Sequence, residues 1–135
     1  YIHPLIQKSS KKLFEDGHFA NAAEDAFIEI NARVKNLFSI VNPGSKVPDG
    51  DTAMTTVFST NNPLIEFCDR STETGYNKQK GYMQMLAGAM SALRNPKAHS
   101  NSEILSAEEA YRRLTTASML MYAIDAALKY SKIKE

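Results

Sequence analysis

The 135-residue sequence holds a single cysteine, Cys68, so no intrachain disulfide can staple it. Its three histidines, His3, His18 and His99, are scattered and form no zinc-ligand spacing with that thiol. Neither a metal nor a cofactor is therefore expected. Long apolar runs are missing too: the longest, 119–124, falls far short of the ~20 residues that span a bilayer. No signal-peptide pattern opens the chain. An excess of one charge is also lacking, because 16 Lys and Arg against 15 Asp and Glu leave a net charge of +1. That balance argues against a histone-like coat, yet it leaves room for RNA, since a cleft needs only a few local cations. No alternating β-type segment and no internal repeat competes with a helical reading.

What is present is ordinary. A hydrophobic fraction of 43% and a charged fraction of 23% fit one globular domain over 1–135, large enough for a real core. The cysteine usage suits a reducing cytosol, so a cytoplasmic protein without membrane contact is expected. Tyr1 stands where Met would begin a full chain, which makes the sequence a candidate C-terminal part of a longer one.

Punctuation divides the chain into helices. Pro4 suits a first helical turn and Gly17 a C-terminal cap, with Leu5, Ile6, Leu13 and Phe14 between them. From Phe19 the residues Ala23, Ala26, Ile30, Leu37 and Val41 keep helical spacing over more than twenty positions. Two prolines and two glycines make 42–50 a loop, after which Asp51 reads as an N-cap for a short helix carrying Met54, Val57 and Phe58. Asn62-Pro63 repeats the cap-then-proline signal before Leu64, Ile65 and Phe67, and 71–75 reads as a polar, mobile stretch. A third long helix is expected over about 76–94, with Gly81, Gly88, Ala89 and Ala92 thin enough for another helix to approach. Ser106 and Glu109 form a capping-box pattern in front of Ala110, Leu114, Ala117, Met121, Ile124 and Leu128. The apolar arc of this last helix is wide, as for a central helix or one at a subunit interface, and its polar strip is Thr115, Ser118, Asp125, Lys129 and Lys132. The fold class expected is all-α: an antiparallel bundle of three long helices plus short ones.

The segment richest in chemistry is Arg94-Asn95-Pro96-Lys97-Ala98-His99. Pro96 disfavours helical geometry at Asn95, so the third long helix should stop near Arg94 and leave His99 a few residues away in a constrained loop. Cleaving RNA without a metal needs a base for the ribose 2′-hydroxyl and positive charge for the developing phosphorane. A histidine titrating near ~6.5 suits the first role. A permanently charged, forked arginine suits the second. One Arg and one His make half a site, and a two-fold dimer would supply two of each. The plainer reading is that a helix-end arginine is favoured by the helix dipole alone.

Arg94-x4-His99 with Asn95 directly after the arginine resembles the motif of HEPN-type ribonucleases. Ile2-His3-Pro4, the stretch from Lys12-Leu13-Phe14-Glu15 to Asp16-Gly17-His18-Phe19, Ala26-Phe27 and Gly88-Ala89-Met90 extend the likeness to the Ymh-type family, a HEPN branch often found as a C-terminal domain. The resemblance implies a four-helix HEPN core, two-fold dimerisation and metal-independent endoribonuclease activity, commonly in toxins or phage-defence effectors. It gives Arg94 the phosphate, His99 the acid–base role and Asn95 the orienting of one of them, with Lys97 as a further RNA contact. The partners implied are an RNA substrate (tRNA among the candidates), a second copy of the chain, and an antitoxin or upstream sensor domain. In one variant of the superfamily a tyrosine two residues after the histidine is modified by a partner enzyme; here that position is Asn101, which puts such regulation in doubt.

Weaker candidates surround this block. Asn31 shares a face with Phe27, Val34 and Phe38, and reads either as a backbone-bonded structural amide or as a support for the Arg94 loop. Glu24 and Asp25 are alternatives for orienting Arg94. His3 and His18 sit at helix starts with no catalytic role, and Met83, Met85, Met90, Met119 and Met121 read as core filling. The competing functions are a non-catalytic module binding a nucleotide, RNA or protein, and a pure oligomerisation domain serving an upstream effector.

Overall fold

A computed structural model describes residues 2–94 and 104–135. Among the described residues there are five helices and no strand: α1 Pro4–Glu15, α2 Phe19–Val41, α3 Gly50–Val57, α4 Glu73–Ala92 and α5 Ala107–Ser131. Three are long and two short, as the punctuation implies. None is long and apolar enough to cross a membrane.

Local chemistry sets most of the boundaries. Pro4 opens α1 without sacrificing a helical N–H, while the His3 ring accepts from the Leu5 N–H. Gly17, at φ +86°, closes it as its N–H and that of His18 return to Phe14 and Leu13 carbonyls. The three-residue turn folds α1 back on α2, and α2 then packs on α3 and α5 as well. That explains its wide buried face: Ala22, Ala26, Phe27, Ile30, Val34 and Leu37 are all inaccessible to solvent. All of these but Ala22 join Met54, Leu86, Leu120 and Ile124 in one continuous core. Burial of each large side chain is worth about 1.5–3 kcal/mol. α4 packs chiefly on α3.

Several expectations are corrected. The N-cap of α3 is Asp49, not Asp51, and its carboxylate is used elsewhere than on the helix. No helix follows Asn62-Pro63; residues 58–67 are irregular because Gln79, wholly buried on α4, holds their backbone. Its amide accepts from the Phe67 N–H (2.8 Å) and donates to the Phe58 and Ile65 carbonyls (both 3.1 Å). The 71–75 stretch is ordered by the Asp69 carboxylate accepting from the Ser71 N–H and by Thr72 capping α4 three residues before the expected start. Close backbone approach falls at Gly75, where a Cβ would collide with the Asp69 carbonyl oxygen; Gly81 and Gly88 face nothing within 4 Å. Ser106 caps α5 as read, but the Glu109 carboxylate accepts from Arg112 and Arg113 instead of completing the box. Met85 and Met119 are exposed rather than core.

Part of the expected polar strip of α5 is internal. Ser118 is buried, and its Oγ accepts from the His3 N–H at 2.8 Å. Since Nδ1 of His3 accepts from Leu5, its Nε2 carries the proton and donates to Asp125 Oδ2 at 2.8 Å. Arg33, on α2, donates to the other Asp125 oxygen at 2.6 Å, to both Glu135 oxygens at 2.9 Å and to the Met121 carbonyl. This network ties the start of α1 to α2 and α5.

Candidate functional site

Arg94 lies two residues past the last residue of α4, with its N–H on the Ala89 carbonyl at 3.1 Å. That bond holds its backbone to the helix end, close to where Pro96 should stop the helix. Asn95, Lys97 and His99 lie outside the described residues. The arginine side chain is only 13% exposed and lies over Gly50, whose φ of +62° a glycine adopts without strain. A Cβ on Gly50 would come within 2.9 Å of Arg94 Nη2, so the glycine also makes room for the guanidinium.

Asp49 is the acid that meets Arg94. Its Oδ2 lies 3.5 Å from Nη1, a long contact beside the 2.7–2.9 Å usual for a charge-assisted bond. Its Oδ1 accepts from Asn31 Nδ2 at 2.9 Å and pairs with Lys35 Nζ at 3.1 Å. Asn31 in turn accepts from the Gly50 N–H at 3.0 Å, so one buried amide fixes both the α3 start and the carboxylate facing Arg94. The backbone-bonded reading of Asn31 is realised at Gly50, while the loop that follows Arg94 lies outside the described residues. Hydrogen bonds from Asn31 and Lys35, aided by the charges of Lys35 and Arg94 and opposed by modest burial, hold the Asp49 carboxyl at about 2. Of Glu24 and Asp25, the two acids that the sequence offers for orienting Arg94, Asp25 has its carboxyl pushed up by burial.

Arg94 Nε is buried and meets no hydrogen-bond acceptor among the described residues. A guanidinium so placed has donors to give to an oxyanion. No cluster of three His, Cys, Asp or Glu side chains able to hold a metal occurs among the described residues. Lys35 and Asp49 are missed by sequence reasoning, although Asn31 and Lys35, one helix turn apart, and Asp49-Gly50 after a proline are the available signal.

An all-helical domain with an arginine at a helix end, faced by a carboxylate that a lysine and an amide also hold, is the class these observations define. The chain belongs to the family described as "Protein of unknown function (Hypoth_ymh)", whose family model matches residues 1–124. No curated protein and no solved structure matches it.

Proposed function

We propose that this chain is a metal-independent endoribonuclease of HEPN type that works as a two-fold dimer, in the role of a toxin or phage-defence effector. The observation that carries the reading is the confined Arg94 guanidinium, with a buried Nε lacking an acceptor among the described residues, directly ahead of Asn95-Pro96-Lys97-Ala98-His99. In this mechanism His99 removes the 2′-hydroxyl proton, and the 2′-oxygen attacks phosphorus. Arg94 stabilises the charged phosphorane, and the His99 of a second copy protonates the departing 5′-oxygen. The products are a 2′,3′-cyclic phosphate and a free 5′-hydroxyl. Asn95 orients one of the two, and Lys97 contacts the RNA backbone.

The test is cleavage of total and transfer RNA in EDTA by the parent chain, Arg94→Ala and His99→Ala. Each substitution is expected to lower the rate by roughly 10²–10⁴-fold while leaving the helical spectrum unchanged. A parent chain that cuts no RNA, or a His99→Ala chain that cuts as fast as the parent, overturns the proposal. The alternative is a non-catalytic nucleotide-, RNA- or protein-binding dimerisation module. It draws on the exposed Tyr111, Met119 and Tyr122 of α5, an aromatic and apolar face of the kind partner proteins cover. Binding and dimerisation indifferent to His99→Ala, with no cleavage, would favour it.

A further inference from the structure

Resting on the ribonuclease reading for the kind of ligand, we infer that Lys35 joins Arg94 as a contact for one RNA phosphodiester, and that Asp49 is the carboxylate this phosphodiester displaces. Three donors from two elements, Asn31 and Lys35 of α2 and Arg94 after α4, converge on the two oxygens of a single carboxylate. A phosphodiester offers the same chemistry, two anionic oxygens on one centre. Asp49 is well placed to leave. Its side chain is 57% exposed, and its bond to Arg94 is long at 3.5 Å. Its departure need not unpick α3, because Asn31 keeps the Gly50 N–H.

The cations are unequally used. Lys35, 39% exposed, can follow an incoming oxygen, while Arg94 is packed against Gly50 and already aimed. The buried Nε of Arg94, without an acceptor among the described residues, would gain a partner from an anion that enters deeper than Asp49 reaches. With Asp49 in place the three charged groups sum to +1; with it turned away, two positive charges face the ligand. Asp49 thus screens the site against weak anions and orients Arg94 until RNA arrives. It is a positioning residue, and Lys35 a binding one.

The test is equilibrium binding of a 2′-O-methyl RNA oligonucleotide, which cannot be cleaved, across a range of salt. Asp49→Asn keeps the bulk and an acceptor but removes the competing charge, and should tighten binding about fivefold, the effect of one charge at ~4 Å in water. Lys35→Met should weaken binding and lower the slope of log affinity against log salt by about 0.7, the loss of one phosphate contact on a single strand. A merely structural lysine would leave that slope unchanged. Equal or weaker binding by Asp49→Asn, an unaltered slope in Lys35→Met, or no binding by any chain overturns the inference. Should Asp49→Asn fail to fold, the Lys35→Met slope decides alone. A parent chain that binds as described but cuts no RNA defeats the ribonuclease reading and leaves this inference standing. Cleavage with an unaltered Lys35→Met slope does the reverse.

Discussion

Replacing Gln79 by leucine isolates the interaction that shapes the longest irregular stretch of the fold. The exchange roughly preserves volume, so the perturbation is loss of the amide and not creation of a large cavity. It would leave three backbone groups, the Phe67 N–H and the carbonyls of Phe58 and Ile65, without the side chain that now satisfies them. Each buried orphan costs about 1–3 kcal/mol, and partial relaxation of the loop toward water brings the total to about 3–5 kcal/mol. For a domain of this size that corresponds to a melting point lower by roughly 10–20 °C. Thermal unfolding followed by far-ultraviolet circular dichroism measures it. Gln79→Glu sharpens the test, because a carboxylate can still accept from Phe67 but has no proton for the two carbonyls. Burial beside two carbonyls raises the pKa of that carboxyl, so the variant should gain stability as pH falls toward the ordinary glutamate value, where the neutral acid can donate to one of them. A Gln79→Leu chain melting within about 3 °C of the parent would refute the reasoning, since the loop would then be held by apolar packing alone.

Gly75→Ala should be destabilising by about 1–3 kcal/mol, read as a lower urea midpoint, because the new methyl meets the Asp69 carbonyl oxygen and one of the two backbones must move. Asp49 predicts an acid limb. Its carboxyl sits at about 2 in the fold against an ordinary 3.8, so its contribution is complete above the ordinary value and is lost as pH falls through the lower one. Solvent at this half-exposed group limits that contribution to about 1 kcal/mol, and Asp49→Asn should flatten the corresponding step in stability measured between about pH 5 and 2.

The parts of the fold legible in the sequence are those set by short-range chemistry. Pro4 and Gly17 bound α1, Ser106 starts α5, and the spacing from Phe19 to Val41 specifies α2, because caps and periodicity act within a turn or two. Asn62-Pro63 misleads for the opposite reason. Its local helix-start signal is overridden by Gln79, by Ser131 bonding both the N–H and the carbonyl of Glu66, and by Arg70 reaching the Thr60 carbonyl. The α5 strip misleads similarly, since Ser118 and Asp125 look solvated until His3 and Arg33 arrive from 115 and 92 residues away respectively. At the candidate site, the Arg94 position past a helix end followed from Pro96, and Asn31 stood out as an amide on an apolar face. Lys35 and Asp49 did not, for an exposed lysine and a loop aspartate gain meaning only when α2 and the end of α4 are brought together.

Arg33 and Arg94 show how one side chain can be structural in one place and available in another. Arg33 is 6% exposed, and every one of its nitrogens has an acceptor. Burial, the largest single influence, pulls its pKa down, yet the hydrogen bonds and charges of Glu135 and Asp125 outweigh it and the pKa is raised. Removing one side of such an arrangement leaves an uncompensated buried charge, commonly a loss of about 3–5 kcal/mol, so no ligand could borrow this arginine. Arg94 stands differently. Among the described residues its one ion-pair contact is at 3.5 Å to a half-exposed carboxylate, and water can take over that carboxylate's solvation when it turns away. Exchanging Asp49 for a phosphate therefore costs little on the protein side and gives the buried Nε an acceptor. An arginine that serves a transition state must be aimed before the substrate comes and still be free to change partners. Of the two nearly buried arginines, Arg94 alone meets both conditions, and it is the one that precedes the Asn95-to-His99 segment.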